Sequence, residues 1–207
     1  MVSDDAHSGA EFDGADFIDT VVADQYWSTR SYVNCAFTDS DLSGLHTQNV
    51  TFTGCDFTGA DLRRSVHNGS AFRSCTFTRT SLWHSEFHHS TLMGSVFENC
   101  RVRPLILDEV DLTLTSLGRV DLRGVDLTGC RLREANLVEA DLRKAVLRDA
   151  DLSGARTSGL KLDEADLRGA RVDAGLWVGA SLTGARVEPM QALAFAGAHG
   201  LRVDLAE

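Results

Sequence analysis

Ala140-Asp141-Leu142-Arg143-Lys144 and Ala165-Asp166-Leu167-Arg168-Gly169 share one pattern: a small residue, an acid, a leucine, then two residues that are polar or glycine. The pattern runs in both directions from there without a slip. Stepping by five from Phe12 to Val187 gives 36 positions, and all but Thr47, His67 and Thr157 are Phe, Leu, Val, Trp or Tyr. Two residues before each lies a second column of mostly small side chains, among them Ala60, Ser65, Ser70, Cys75, Thr80, Ala135, Ala140, Ala145 and Ala150. A period of five fits neither the 3.6 of a helix nor the 2 of an alternating strand. It fits a chain that turns every five residues, with one small and one large side chain inward and three positions facing water. Four units close a square coil of 20 residues, so the 36 units make nine coils. Stacked at the strand spacing of about 4.8 Å they form a rod about 43 Å long. Such a solenoid is held by contacts between neighbouring repeats and needs caps at its ends.

The central column changes character along the chain. Phe dominates from Phe12 to Phe97, and every position from Leu107 to Leu152 is Leu. The larger rings predict a wider or less regular coil at the Phe end. Arg103-Pro104-Leu105 predicts a local irregularity, because Leu105 falls in the small-residue column with Pro beside it. After Val187 the repeat fades, and Glu188 to Gly200 reads as a short helix with Pro189 in its first turn and Gly200 at its stop. The expected organisation is a disordered segment over 1–10, the β-helix over 11–187, and a capping helix and tail over 188–207. The last coil is an open sheet edge, and edges must be covered. A symmetric pairing of two subunits would cover both, through Trp177, Leu182, Val187, Met190, Leu193, Phe195 and Leu201.

Composition narrows the function. With 43% hydrophobic residues the chain has enough material for a core, and no apolar run reaches the length of a membrane-spanning helix. Met1 to Ala10 lacks the basic start and apolar stretch of a signal peptide, so the chain is read as cytoplasmic, without a membrane partner. The five cysteines are then expected to stay reduced. Cys35, Cys55 and Cys75 are spaced to stack, but all five lie in the small inward column, where Cys acts as a small hydrophobe. A straight ladder does not supply the tetrahedral ligand set of zinc. His84, His88 and His89 read as solvated surface, and His67, in the central column, as a buried hydrogen-bonded imidazole. No phosphate loop, nucleophile elbow or HExxH motif occurs, and a solid rod offers no enclosed cleft. The expectation is no metal, no cofactor and no catalysis.

The net charge is −10, distributed as −10 over residues 1–62, +4 over 63–103 and −4 over 104–207. No basic stripe for nucleic acid stands out in the linear sequence. Acid before the central Leu belongs to the repeat itself. One corner nevertheless concentrates it: Asp108, Glu109 and Asp111 lie close to Asp126, Asp149 and Asp151 fall two coils on, and Asp166 follows. Rows of carboxylates on a narrow rod resemble duplex DNA, which carries one charge per about 1.7 Å of axis.

The chain resembles the pentapeptide-repeat family, whose repeat is A-(D/N)-L-x-x. That resemblance implies a right-handed quadrilateral β-helix; the period alone does not set the hand. More specifically, Leu82-Trp83-His84-Ser85, Arg103-Pro104-Leu105, Leu122-Arg123-Gly124, Leu127 to Glu134 and Ala194 to Leu201 are similar to members of that family that confer quinolone resistance in mycobacteria. The likeness runs from about Tyr32 to Leu201 and excludes the acidic stretch before it. It implies a DNA mimic that binds DNA gyrase, with the ATPase subunit as one candidate contact, dimerises through its C-terminal end and lowers fluoroquinolone sensitivity. The alternative is a passive structural or protein-interaction rod with no gyrase contact.

Overall fold

The computed structural model of the chain describes residues 9–203. Most of the segment expected to be disordered, residues 1–8, lies outside the described residues, as do residues 204–207 of the tail. The stacked lattice already begins at Gly9, whose N–H donates to Thr29 O at 2.8 Å, while Ala10 O accepts from Ser31 N at 2.9 Å.

The chain winds into a square coil in which strands and bridges pair in parallel with those 20 positions later. The short strands are β1 (Glu11–Asp13), β2 (Tyr26–Ser28), β3 (Ser31–Val33), β4 (His46–Gln48), β5 (Thr51–Thr53), β6 (Val66–Asn68), β7 (Ala71–Arg73), β8 (Thr76–Thr78), β9 (Ser85–His88), β10 (Val96–Glu98) and β11 (Leu105–Asp108). On the face of Phe12 the order is β1-β3-β5-β7, with Phe12 opposite Tyr32 and Tyr32 opposite Phe52. On the face of Trp27 it is β2-β4-β6-β9-β11, and β8 pairs with β10 on the face of Phe17. Isolated bridges carry the same offset to Asp166 and Arg186. Parallel crossovers of this kind are right-handed, and the architecture is the right-handed quadrilateral β-helix expected.

Each corner has one cause in the sequence. The residue two after the central one takes a positive φ along the rod, as in Asn34, Gly44, Asp149 and Gly169. Gly, Asn and Asp tolerate that region best. Where the turn is closed, the next N–H donates back to the central carbonyl, for example Ala140 N to Leu137 O at 3.0 Å. An Asp before the central residue completes it by accepting from the N–H two residues on, as Asp61 does from Arg63 at 3.0 Å and Asp126 from Thr128 at 2.9 Å. This is an Asx turn. Asp or Asn at that position goes with closed turns throughout: at 16, 41, 56, 61, 111, 121, 126, 136, 141, 151 and 166. The central strand units instead begin with Glu, Tyr, Ser, His, Thr, Val, Ala or Ile. Ring size is therefore not what makes the first half less uniform, contrary to the expectation. Phe17, Phe37 and Phe57 all sit in closed turns.

The core is a solid column. Phe37, Phe57 and Phe77 stack at 5.0 and 5.1 Å between centroids, and Phe77 stacks on Phe97 at 4.6 Å. His67 is fully buried as expected; its Nδ1 shares a hydrogen bond with Thr47 Oγ1 at 2.7 Å and its Nε2 with Ser65 Oγ at 2.9 Å. Burial lowers its pKa from 6.5 to about 3. Four cysteines are buried and Cys100 is half-buried, all as free thiols.

Two departures interrupt the lattice. Pro104 occupies a position that elsewhere takes positive φ, which its ring forbids, and the Arg103–Pro104 peptide is cis. The expected repeat around Trp177 is instead a helical turn, α1 (Ala174–Gly179), which buries Leu176 and Trp177. The C-terminal helix α2 (Pro189–Ala198) is where the sequence places it, opened by a capping box between Glu188 and Gln191. Gln191 Nε2 also donates to Leu167 O at 2.7 Å and Ala170 O at 2.9 Å, which ties α2 across the last coil. Among the described residues no helix is long and apolar enough to cross a membrane.

Candidate protein-binding surface

The acidic residues expected to face a partner divide into two kinds. Asp111, Asp126, Asp151 and Asp166 stand before a central residue and belong to the turn. Asp111 accepts from Thr113 N at 3.0 Å, and Asp151 accepts from Ser153 N at 3.0 Å and Ser153 Oγ at 2.6 Å. These bonds lower the Asp151 pKa, the hydroxyl contributing most. Asp108, Glu109 and Asp149 stand after a central residue, where the turn makes no demand on their carboxylates, and all three are exposed. Gly169 leaves room for Asp149: a Cβ there would sit 2.1 Å from Asp149 Oδ1, and its φ of +72° disfavours a side chain in any case.

The structure brings Asp108, Glu109, Asp111, Asp149 and Asp151 to one corner, two coils apart. Gly129 and Arg131 lie between them, and Arg131 Nη1 approaches Asp111 Oδ2 at 3.7 Å. Asp126 is exposed on the adjoining Trp27 face. Asp166 does not join them as an available charge. Its side chain is 8% exposed and is held by Arg148 at 2.8 Å, Arg168 at 2.6 Å and Arg186 at 3.6 Å. The Arg168 hydrogen bond is the largest cause of its strongly lowered pKa. A carboxylate neutralised by three guanidiniums is a fixture of the fold.

Histidines edge the same corner. His88 Nδ1 lies 3.2 Å from Asp108 Oδ2 and its Nε2 3.1 Å from Glu86 Oε2, while His89 Nδ1 lies 3.2 Å from Glu109 Oε2. The Glu86 contact, followed by Asp108, raises the His88 pKa. Among the described residues no group of three or more His, Cys, Asp or Glu side chains is placed to hold a metal.

The linear sequence concealed a basic stripe. Arg63, Arg103, Arg123 and Arg143 occupy one corner at multiples of 20 residues, with Arg64 and Lys144 beside them. Separation in sequence hides it; folding the chain on its period reveals it. Several of these cations are matched locally. Arg63 pairs with Asp61 at 2.5 Å, Arg123 with Asp121 at 2.8 Å and Arg143 with Asp141 at 2.7 Å. Arg123 and Arg103 hold the Asp121 pKa down to about 2.

At the C-terminal end, Met190, Phe195, Leu201 and Val203 are exposed and Leu193 is half-buried. Leu182 and Val187 are half-buried against the core, and Trp177 is inside, 3% exposed, with its ring edge-on to Phe195 at 6.2 Å. Trp177 therefore supports this surface from below instead of forming it.

Comparison with known proteins follows this geometry. Profiles of pentapeptide repeats match residues 33–66, 106–143 and 130–169, and a second such profile matches 52–96. The pentapeptide repeat protein MfpA of Mycobacterium tuberculosis is 61% identical over 47 residues, which is 23% of this chain and 26% of that protein. The match thus spans about a quarter of that relative's length. Full-length QnrB1, a plasmid-mediated fluoroquinolone resistance protein, superposes with a TM-score of 0.83 over 94% of this chain and 99% of its own, at 18% identity. HetL of the cyanobacterium Nostoc, involved in regulating heterocyst differentiation, superposes with a TM-score of 0.63 over 87% of each chain at 23% identity. At these identities the two structures speak to the fold.

Proposed function

The chain belongs to the pentapeptide-repeat family, and from that premise we propose that it is a DNA-mimicking protein that binds DNA gyrase, competes with DNA and lowers fluoroquinolone sensitivity. The observation that carries the proposal is the corner of Asp108, Glu109 and Asp149, three exposed carboxylates that the turns do not use. Acids spent on Asx turns are explained by the fold; these are not. The 61% identity to MfpA over 47 residues supports a common kind of role, and the superposition on QnrB1 supports the shared rod shape such a role needs. Rows of carboxylates on a rod would enter a basic DNA-binding groove of gyrase, its ATPase subunit being one candidate surface. With DNA displaced, drug-stabilised cleavage complexes would form less often. The chain acts by occupying a site, not by catalysis.

We further propose that two copies pair through their C-terminal ends. Met190, Phe195 and Leu201 would form the contact, flanked by Leu193 and supported by Leu182, Val187 and Trp177. The paired ends would extend one acidic rod into another. Light scattering is expected to give a mass near twice 22.5 kDa, and Phe195→Asp to halve it; a wild-type monomer at micromolar concentration overturns the pairing.

Direct binding tests the target. Immobilised gyrase is expected to capture the wild-type protein with an affinity that falls steeply between 50 and 200 mM salt, as charge-driven association does. Binding that ignores salt, or its absence with cognate gyrase, favours a passive interaction rod.

A further inference from the structure

Half a turn of the rod lacks its backbone ladder. Among the described residues no backbone hydrogen bond joins residues 99–109 to residues 119–129. The same positions one coil on are all bonded: Leu122 N to Asp141 O at 2.8 Å, Leu127 N to Val146 O at 2.7 Å, Gly129 N to Arg148 O at 2.8 Å, and Asp141 N back to Val120 O at 3.0 Å. One coil earlier Leu82 N donates to Arg101 O at 2.8 Å. The gap is confined to the Val22 and Trp27 faces. On the other two faces the same coils stay bonded, with Gly94 N to Thr113 O at 3.0 Å and Phe97 N to Ser116 O at 2.9 Å.

The sequence supplies the cause. Pro104 cannot take the positive φ of its column, so the corner it occupies cannot bring its coil into register with the next. Leu105 then places a large side chain where small ones pack. The interior slackens at the same level. A void of about 20 Å³ lies among Phe87, Phe97, Leu105, Leu107 and Leu117, and Phe97, Leu107 and Val125 are 5, 7 and 5% exposed where Leu127 to Leu147 are 0%. An open groove of about 550 Å³ runs outside it, lined by Arg103, Pro104, Leu105, Arg123 and Gly124. One side chain spans the gap: Arg103 donates to Arg123 O at 3.0 Å and to Asp121 Oδ2 at 2.6 Å.

We propose that this seam is a hinge, bonded on two faces and latched on the other two by Arg103, about which the halves of the rod bend. A β-helix with a complete ladder is stiff, because bending it must break several inter-coil hydrogen bonds together. Among the described residues the opening faces have one hydrogen-bonding side chain, Arg103, to release, beside the apolar packing of Val102 and Leu107 in the core. If the acidic corner is the gyrase contact, a step that rests on the proposed function, the hinge has a use. Asp108 and Glu109 stand on one lip of the seam and Asp126 and Asp149 beyond it, so bending sets the spacing of the carboxylates against the partner.

Distances in the free protein test the hinge without gyrase. One pair of labels replaces His84 and Lys144, three coils apart across the open side. Another replaces Ser74 and Glu134, equally separated across the bonded side. Pulsed electron spin resonance is expected to give a broader distance distribution for His84–Lys144, broader still with Arg103→Ala and narrowed by Pro104→Gly, which permits the standard turn. Equal widths for the two pairs overturn the hinge. Native hydrogen exchange is a second readout: the Val102, Leu107 and Asp121 amides should exchange at least about tenfold faster than those of Leu122, Leu127 and Asp141, and equal protection also overturns it. Its use in binding is tested separately. Pro104→Gly is expected to change gyrase affinity, and a narrowed distribution with unchanged affinity refutes that use while leaving the hinge and the gyrase contact standing.

Discussion

The halves of the rod before and after Leu105 share one coil but fill and close it differently. Before Leu105, aromatic rings stack from coil to coil, and strands line the Phe12 and Trp27 faces and, at Phe77 and Phe97, the Phe17 face, mixed with closed turns elsewhere. After it, leucines fill every face as far as Leu152 and the turns close on all four, as at Thr115, Val120, Val125 and Cys130. The difference teaches that side-chain volume and backbone shape are set by separate positions. The central residue sets what fills the coil. The residue before it tunes the corner: Asp or Asn there accepts from the turn N–H, as Asp141 does from Arg143, although corners also close behind Ser116, Arg131 and Val146.

Truncations in the two halves sharpen that comparison most. Phe57→Ala removes a ring stacked on both sides and is expected to cost about 4 kcal/mol, against about 3 kcal/mol for Leu137→Ala in the second half, as read from urea midpoints. Equal costs would mean that the stacked rings add nothing beyond their volume.

Between pH 6 and 4 acid should act first through His67, in the first half; carboxylates with lowered pKa, such as Asp121 and Asp166, lose their contribution only at lower pH. His67 is buried neutral with a pKa of about 3, below its ordinary 6.5. The unfolded chain takes up a proton below pH 6.5 that the folded chain refuses, so stability is full above that pH and falls as pH drops towards 3. The slope from this residue approaches about 1.4 kcal/mol per pH unit. His67→Leu is expected to flatten the dependence of the melting temperature between pH 6 and 4; an unchanged slope would contradict the buried neutral imidazole.

Smaller effects separate the two kinds of acid. Asp141→Ala removes the acceptor of Arg143 N and is expected to cost about 1 kcal/mol, as lost turn and cap bonds do. Asp149→Asn and Glu109→Gln should stay within about 0.5 kcal/mol of wild type in chemical denaturation. A large loss at Asp149 would make it a fold residue and remove it from the candidate surface.

The period of five, the two inward columns and the capping helix were legible in the sequence, because each core position recurs at a fixed spacing. Pro104 and Leu105 marked the irregular coil, but which faces would lose their bonds depended on where that unit falls in the square. Trp177 keeps the phase of its column, and nothing in that spacing marks Ala174 to Gly179 as a helical turn around Leu176. For the candidate surface, the sequence located the acidic corner but could not separate turn acids from the rest. It also placed Asp166 outside, because its three arginine partners lie 2, 18 and 20 residues away in both directions. The basic stripe escaped for the same reason.

The most direct test of the central claim is DNA supercoiling by cognate gyrase, titrated with the wild-type protein and with the triple variant Asp108→Lys, Glu109→Lys, Asp149→Lys. The account predicts inhibition by the wild type, and fewer fluoroquinolone-induced double-strand breaks, both lost in a variant that melts like the parent. Equal inhibition by the two proteins would contradict it.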